Sequence, residues 1–294
     1  MPCYHPINAW QVRPGIKPQF TPAEIKLQLS CGQCIGCRLE RSRQWAVRCI
    51  HEASQHNENC FITLTYDEDR IPYGGSLVKP HFQKFMKKLR RRIEPKKVRF
   101  FMAGEYGDEL GRPHFHAILF GHEFKDKQFW THREGIDLFI SDELEDCWGH
   151  GFCTVGDATW ETAAYISRYV IKKRNGDQAK EHYSRIVEST GELIQIEPEY
   201  GTMSLRPAIG KEWFDAYKRD CFPKDFTTHK GRKYRVPKYY DELLKREDEK
   251  TYQEIKEERK RKASQWAYDN TSDRLRAKEH CALARSNQLK RVLT

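Results

Sequence analysis

Two apolar runs joined by turn-forming residues constrain the fold of this chain more than any other feature. Residues 98–105 (VRFFMAGE) and 114–121 (HFHAILFG) have the composition of strands, and the YGDELGRP segment between them is rich in residues that favour turns. The sequence therefore predicts a β-hairpin or near-hairpin. Side chains two residues apart on a strand point to the same face, so His114 and His116 would present two imidazoles on one side of it.

Two imidazoles on one face of a strand are a metal-ligand arrangement, and a carboxylate would complete a site able to activate a phosphate. Glu105 is the best third ligand, because the hairpin would bring it opposite the histidines. Asp108 or Glu109 would replace it if the register slipped by a few residues. The alternative is that both histidines are ordinary polar positions on a half-buried strand.

Two tyrosines lie four residues apart in AAYISRYVIKK, as Tyr165 and Tyr169. On a helix this spacing places both phenols on one face. A phenol is a poor nucleophile until it is deprotonated or polarised, and Lys172 or Lys173 would lie close enough to steady a phenolate or to contact a phosphate. The alternative is that the tyrosines only pack the helix against its neighbours.

The remaining periodicity predicts an α+β fold with a central antiparallel sheet and helices packed on it. We expect helices over residues 37–56, from Pro80 onward, and over 141–148, 159–173 and 211–220, with further strands at 60–66 and 152–157. Residues 1–36 are expected to be an irregular Cys-rich lead-in, and residues 241–262 a charged helix continuing toward 293. Three segments follow: 1–56 (N-terminal segment and first helix, packed on the core), 57–225 (core) and 226–294 (basic and charged helical extension).

The chain of 294 residues carries a formal charge of +10, which favours a polyanionic partner, most often nucleic acid. The alternative is a basic, soluble protein without such a partner. The helix that begins near Pro80 has an apolar face and an opposite face with six cations and no interspersed acid. A solvated helix face is the alternative explanation. The candidate DNA-binding residues are Lys84, Lys87, Lys88, Arg90, Arg91, Arg92 and Arg112.

Cys31, Cys34 and Cys37 form a CxxCxxC motif whose spacing is typical of a structural zinc site. Cys3 and His5 are the possible fourth ligands. With Cys3, the site would fix the N-terminus to the first helix. The alternative is a set of free buried thiols.

No segment reaches the roughly 20 apolar residues that span a bilayer, and the first residues lack the apolar core of a signal peptide. We therefore expect no membrane association and a cytoplasmic location, where cysteines are more often reduced thiols or metal ligands than disulfides.

The motifs FITLTY, HFH and YISRYVIKK, in this order, resemble those of the HUH endonucleases, the superfamily of the rolling-circle replication initiators. The Tyr-x-x-x-Tyr spacing resembles the two-tyrosine subclass. The segments CGQCIGCRLERSRQWAVRC, GEYGDELGRPHFHAILFG and EYGTMSLRPAIG resemble specifically the gokushovirus branch of the small single-stranded DNA phages. The resemblance extends from residue 1 to about residue 222, and the charged tail adds nothing to it.

The resemblance implies an HUH (Rep-like) fold and a metal-dependent endonuclease that nicks and joins single-stranded origin DNA. One tyrosine would cut the origin and hold a 5′-phosphotyrosine, and the other would cut again after one round of replication. Mg²⁺ or Mn²⁺ would serve catalysis, host helicase and DNA polymerase would be partners, and the bacterial cytoplasm would be the location. A tyrosine transposase, a plasmid relaxase, a zinc-stabilised DNA-binding protein without catalysis, and a hydrolase that uses water stay open as alternatives.

Overall fold

The computed structural model describes residues 3–11, 25–107, 110–133, 135–169, 177–187 and 189–288. The strands are β1 (Ile7–Gln11), β2 (Ile25–Leu29), β3 (Asn59–Leu64), β4 (Arg99–Tyr106), β5 (Pro113–Phe120), β6 (Gln128–Arg133), β7 (Ile136–Ile140), β8 (Cys153–Asp157), β9 (Ser184–Ile186), β10 (Leu193–Gln195), β11 (Tyr200–Met203), β12 (Phe226–His229) and β13 (Arg232–Arg235). The α-helices are α1 (Ile35–Ala53), α2 (Lys79–Arg92), α3 (Asp142–Trp148), α4 (Trp160–Tyr169), α5 (Asp177–His182), α6 (Lys211–Cys221), α7 (Lys238–Glu247), α8 (Glu249–Ser264) and α9 (Ser272–Gln288).

Seven strands form one sheet in the order β11-β4-β5-β3-β8-β7-β6. Every neighbouring pair in it is antiparallel. The predicted hairpin is β4 and β5, paired from Arg99 with Phe120 to Tyr106 with Pro113. The predicted α+β class with a central antiparallel sheet is therefore confirmed.

Different helices cover the two faces of this sheet. On β5, Phe115, Ala117 and Leu119 point into an apolar core shared with α2 and α3. The alternate residues Ile118 and Phe120 point into a second core shared with α1 and α4. Because side chains alternate along a strand, His114 and His116 lie on the α1/α4 face, and all eight residues of β5 are buried. The position of the two histidines in the layers of the fold follows from this alternation alone.

Helix α2 shows how the local sequence determines an element. Pro80 lies in its first turn, where a missing N–H costs nothing. Apolar residues then recur at helical spacing and bury Phe82, Phe85, Met86 and Leu89 against the sheet. Complete burial of each such side chain contributes about 1.5–3 kcal/mol, so packing rather than the exposed cations holds the helix in place.

The chain divides into two compact units. Among the described residues, the larger unit is formed by Ser42–Asp241 and contains the seven-stranded sheet, with the hairpin β12–β13. The smaller unit is formed by the residues up to Arg41 together with those from Glu242 onward, and it contains the hairpin β1–β2 and the helices α8 and α9. The three-segment organisation expected from the sequence stays a prediction.

Two expectations about secondary structure were wrong, and one hairpin was missed. Residues 1–36 are not uniformly irregular, because β1 pairs with β2 from Ile7 with Leu29 onward, and the Pro, Gly and Cys content hid these five-residue strands. The hairpin β6–β7 was not predicted, since β6 is an edge strand exposed along most of its length and lacks alternation. The charged tail is not one helix, because Asp248 accepts a hydrogen bond from the N–H of Thr251 (3.0 Å) and starts α8, and α9 begins anew at Ser272.

Within the described part of the chain, no helix combines the length and the apolar character that crossing a bilayer requires.

Candidate metal and nucleophile site

The ends of β4 and β5 bring three potential metal ligands together on the α1/α4 face of the sheet. Glu105 pairs directly with His114, and Ala103 pairs with His116 two residues further along the hairpin. One carboxylate oxygen, Oε1 of Glu105, lies 2.9 Å from Nε2 of His114 and 2.9 Å from Nε2 of His116. All three side chains are buried. The hairpin register expected from the sequence is present, and it makes these three residues converge on one point.

The hydrogen bonds behind the two imidazoles fix their orientation. Nδ1 of His114 donates to the carbonyl of Arg112 (3.0 Å), and Nδ1 of His116 shares a hydrogen bond with the hydroxyl of Thr63 on β3 (3.0 Å). A carbonyl only accepts, so the proton of a neutral His114 is on Nδ1 and the lone pair of Nε2 faces the Glu105 carboxylate. Two acceptors at 2.9 Å repel unless a proton or a cation lies between them. The donor set therefore fits a divalent metal ion.

The same contacts govern the charge of Glu105. Burial opposes its ionisation and would raise its pKa. Where protons rather than a cation lie between the three groups, the hydrogen bonds from His114 and His116 together outweigh burial and hold the pKa of Glu105 below its usual value. The carboxyl group is therefore ionised at neutral pH, which is the form that binds a cation. Two ligand atoms that bind one metal at right angles, each about 2.1 Å away, are about 3 Å apart, which agrees with the distances in this group.

Helix α4 carries the predicted nucleophiles and packs on the face that holds the donor group. Its first turn is capped reciprocally: the N–H of Thr162 donates to Oγ1 of Thr159 (3.2 Å), and the N–H of Thr159 donates to Oγ1 of Thr162 (2.8 Å). Tyr165 is buried, and its ring lies edge-on to His116 with 5.1 Å between the ring centres. Phe61 supports both rings, at 5.5 Å from His116 and 6.4 Å from Tyr165. The structure therefore brings a predicted nucleophile next to a predicted metal ligand.

Tyr169 is the last described residue of α4, one helical turn after Tyr165, and its side chain lies outside the description. Lys172 and Lys173 also lie outside the described residues, as do the alternative ligands Asp108 and Glu109. A different cation is close to Tyr165, one of the predicted nucleophiles: the guanidinium of Arg168 lies 5.9 Å from the centre of the Tyr165 ring.

The predicted DNA-binding helix lies on the other side of the sheet. The cations of α2 are exposed, but the helix packs on the face opposite to His116. Lys88 donates to the carbonyl of Asp146, and Arg92 pairs with the carboxylate of Asp146 (3.1 Å). Of the predicted set, only Arg112 adjoins the donor group, where it pairs with Glu68 and its carbonyl holds His114. DNA binding by these cations stays a prediction, and for α2 it would not occur at the donor group.

The four predicted zinc ligands are together in the smaller unit. The sulfurs of Cys3, Cys31, Cys34 and Cys37 all lie within 4.8 Å of one another. Burial raises the pKa of the Cys31 thiol, but hydrogen bonds from the N–H groups of Cys34 and Gln33 outweigh it and lower the pKa to about 6. His5, the alternative fourth ligand, lies 2.7 Å from the Glu279 carboxylate instead.

Two residues near the donor group were missed in the sequence. Thr63 is in the strand motif FITLTY, and its face could have been inferred from the alternation that places Phe61 beside the histidines. Arg168 is three residues after Tyr165 on α4, a spacing that puts both on one side of a helix. Neither side chain is of a type expected for the predicted metal ligands or nucleophiles, so its residue type alone does not indicate a role in the sequence.

Comparison with known proteins connects these residues to replication. Residues 59–174 match the family model described as Replication-associated protein ORF2/G2P. Replication-associated protein VP4 of Bdellovibrio phage phiMH2K is 28% identical over an alignment of 281 residues that covers 91% of this chain and 84% of that protein. Replication-associated protein ORF2 of Spiroplasma virus 4 is 29% identical over an alignment of 292 residues that covers 90% of this chain and 87% of that protein. No solved structure was found to match. The resemblance to phage replication proteins is thus confirmed, and the matched segment contains the donor group and both tyrosines.

Proposed function

We propose that this chain, which is similar over most of its length to replication-associated proteins of small phages, nicks and rejoins single-stranded DNA to start and end rolling-circle replication. The tyrosines of α4 would be the nucleophiles. The observation that carries the proposal is the contact between the Tyr165 ring and His116, at 5.1 Å between ring centres, because it supports placing the proposed nucleophile beside the proposed metal ligands. In this proposal the fold belongs to the HUH type.

Glu105, His114 and His116 would hold the catalytic metal, Mg²⁺ or Mn²⁺. When bound, such an ion polarises the scissile phosphate and neutralises its charge. The protein's own contribution is rigidity. The hydrogen bonds to Arg112 and Thr63 orient both imidazoles before any substrate arrives, and the buried surroundings of Glu105 exclude competing water.

The reaction would be an exchange of one phosphodiester for another. The phenol oxygen of Tyr165 or Tyr169 forms a bond to phosphorus, and the bond from phosphorus to the 3′ oxygen breaks. The phenol proton passes to solvent, and the departing oxygen takes up a proton to become a free 3′-OH. Arg168, close to the Tyr165 ring, would stabilise the negative charge that develops on the phenol oxygen. The DNA downstream of the cut stays attached to the protein through its 5′ phosphate.

A second tyrosine one turn away would allow termination at the same site. After a round of synthesis the other tyrosine attacks the regenerated origin, and the 3′-OH released by this second cut attacks the first phosphotyrosine and closes a circle. Because residues four apart on a helix are neighbours on one face, both phenols could serve one phosphate-binding site. The free 3′-OH would prime a host DNA polymerase, with a host helicase opening the duplex in the bacterial cytoplasm.

The experiment uses single-stranded oligonucleotides that tile the genome encoding this chain, labelled at the 5′ or the 3′ end and incubated with the full chain and MnCl₂. A 5′-phosphotyrosine predicts that the 3′-labelled fragment migrates with the protein on a denaturing gel. The 5′-labelled fragment is released with a 3′-OH that a polymerase can extend. The reverse labelling pattern would contradict the assignment, because it would place the tyrosine on the 3′ side of the cut.

Variants then assign the nucleophiles. Tyr165→Phe and Tyr169→Phe should each retain some adduct, and the double variant should lose it. The exposed Tyr268, in the smaller unit, provides the control, and Tyr268→Phe should behave as the parent. An adduct that survives the double substitution would overturn the tyrosine assignment. Cleavage without any adduct would identify a hydrolase that uses water, and DNA binding without cleavage would identify a non-catalytic DNA-binding protein.

A further inference from the structure

The cysteine group of the smaller unit has the dimensions of a metal centre rather than of disulfides. Sγ of Cys31 lies 4.0 Å from Sγ of Cys37, and Sγ of Cys34 lies 4.0 Å from Sγ of Cys3. All four cysteines are free. A disulfide requires about 2.05 Å between sulfurs, whereas four thiolates arranged tetrahedrally about 2.3 Å from one zinc ion are about 3.8 Å apart. The geometry therefore agrees with a tetrahedral four-thiolate site.

Backbone N–H groups around the sulfurs favour the thiolate form. Four such bonds converge on the group: Cys31 N–H to Cys3 Sγ (3.2 Å), Cys34 N–H to Cys31 Sγ (3.3 Å), Gln33 N–H to Cys31 Sγ (3.5 Å) and Tyr4 N–H to Cys34 Sγ (3.3 Å). Cys37 lies in the first turn of α1, where burial, together with the neighbouring thiols of Cys3 and Cys34, raises the pKa of its thiol to about 12 while no cation is bound. The four cysteines come from both ends of the β1–β2 hairpin and from the start of α1, so a bound ion would join segments that are distant in sequence.

The sulfurs also occupy the place of a hydrophobic core. The buried members of the cluster around them are Tyr4, Cys34 and Leu275, with Ile35, Ala282 and the remaining cysteines partly buried against them. Leu275 and Ala282 are on α9, and Glu279 of the same helix bonds His5 (2.7 Å). Burial of two large side chains contributes about 3–6 kcal/mol at most, which is little against the entropy of ordering a 17-residue helix and a hairpin. Outside this cluster, the described part of the smaller unit buries Leu243, Leu244 and Ile255. Small units with so few buried side chains commonly depend on a metal.

We propose that Cys3, Cys31, Cys34 and Cys37 bind one zinc ion, and that this ion orders α9 against the N-terminal hairpin. Four thiolates favour zinc and leave no coordination position open for a substrate. Such a site is structural rather than catalytic. The role is distinct from DNA cleavage, because the smaller unit contains none of the residues that the proposed reaction uses.

The test begins with metal analysis of the full chain purified under reducing conditions. One zinc per chain is expected, and Cys31→Ser or Cys37→Ser should lose it. Cys281 supplies a matched control, since it is an exposed cysteine on α9 outside the group, and Cys281→Ser should retain one zinc. Zinc below about one tenth per chain in the reduced parent protein, or full zinc content in both Cys31→Ser and Cys37→Ser, would overturn the proposal. Iron in place of zinc would overturn the identity of the ion.

Hydrogen exchange on the parent protein tests whether zinc orders α9. This test needs no cysteine variant, so it can be carried out even if Cys31→Ser and Cys37→Ser fail to fold. The parent protein is treated with a mercurial that displaces zinc from thiolates, and the released zinc is measured with a metal indicator. Amide exchange in residues 272–288 should accelerate by at least ~10-fold, while β4 and β5 stay protected. Unchanged exchange in α9 after stoichiometric zinc release would overturn the ordering role. DNA cleavage is measured separately, so a failure here is distinguishable from a failure of the proposed nuclease.

Discussion

The two donor groups of this molecule, Glu105–His114–His116 and the four cysteines, are supported in opposite ways. The first lies at the end of a hairpin in a seven-stranded sheet with apolar cores on both faces, so its ligands converge because the sheet is folded. The second lies in a unit with few buried apolar side chains, where the sulfurs themselves fill the centre. In the sheet, folding positions the ligands without help from a metal. In the smaller unit, we expect folding to require the bound metal.

This contrast agrees with the chemistry of the two groups. A catalytic metal must leave room for substrate, which is possible only if the protein holds its ligands in place without help from the ion. Two imidazoles and one carboxylate leave positions for phosphate oxygens. Four thiolates leave none, and the binding energy of a structural zinc is then folding energy. Removing each metal should therefore have a different consequence.

The largest effect is expected at the sheet group. His116→Gln should lower the rate of DNA cleavage by roughly 10³-fold or more, since a catalytic metal supplies several kcal/mol of charge stabilisation. The amide exchange of the smaller unit should not change. Single-turnover cleavage of 3′-labelled DNA at saturating Mn²⁺ is the measurement. The control is His132→Gln, an exposed histidine on β6 of the same sheet. Equal losses in both variants would show that the effect is general and not located at the donor group.

Sequential metal removal should separate the two groups within one sample. A chelator followed by dialysis should abolish cleavage, and the mercurial treatment should in addition loosen α9. Adding MnCl₂ alone should restore cleavage, while the amides of α9 continue to exchange rapidly. Treatment with a reducing agent and added zinc should then restore the protection of the α9 amides. Cleavage and hydrogen exchange are followed in parallel. If Mn²⁺ alone restored both properties, the two groups would not differ as proposed.

A smaller effect is expected from the partner of His116. Thr63→Val keeps the shape of the side chain but removes the hydroxyl that bonds Nδ1 of His116. Loss of such an outer partner costs about 10–100-fold in metal affinity, so the Mn²⁺ concentration for half-maximal cleavage should rise by that factor with little change in the maximal rate. Thr65→Val is the matched control, because its hydroxyl donates to the carbonyl of Phe152 and not to the donor group. An equal shift in both variants would contradict an orienting role for Thr63.

The sequence predicted the sheet group better than its surroundings, for physical reasons. The alternation of β5 and the turn-rich linker were enough to bring Glu105 opposite His114, because register in a hairpin follows from local pattern. That Thr63 on β3 would hold His116 depends on β3 pairing with β5, a contact between residues 53 apart that no local pattern specifies. The sequence also could not predict on which face of the sheet α2 packs. The cations are evident from the sequence of the helix alone, whereas the face on which α2 packs depends on the tertiary contacts of Phe82 and Leu89.

The smaller unit shows the converse. The CxxCxxC spacing indicated the cysteine group directly, but the strands β1 and β2 and the break between α8 and α9 were missed. Short elements with few apolar residues give weak periodicity, and this same lack of apolar residues is the reason why we expect a metal to order them.

The last prediction concerns the larger unit alone and should not depend on either metal. His51 on α1 is buried, stacks on Trp213 with 3.5 Å between ring centres, and bonds the hydroxyls of Tyr240 (3.0 Å) and Thr227 (3.1 Å). Burial, with a smaller contribution from the nearby His229, lowers the pKa of His51 to about 3. The unfolded chain protonates this histidine near pH 6.5. Between these values the unfolded state binds a proton that the folded state does not.

The contribution of His51 should therefore lower the free energy of unfolding by about 1.4 kcal/mol for each pH unit as the pH falls from about 6.5 toward about 3. Above pH 6.5 both states are neutral at this residue, and its contribution is constant. Urea unfolding at a series of pH values measures the slope, and His51→Gln, which keeps a hydrogen-bonding side chain, should reduce it over this window. The exposed His132 is the control, since His132→Gln removes a histidine that folding does not bury. The slope should be the same in chelator-treated protein, because the packing around His51 involves neither donor group; a slope that disappeared with the metals would contradict the independence of the sheet from them.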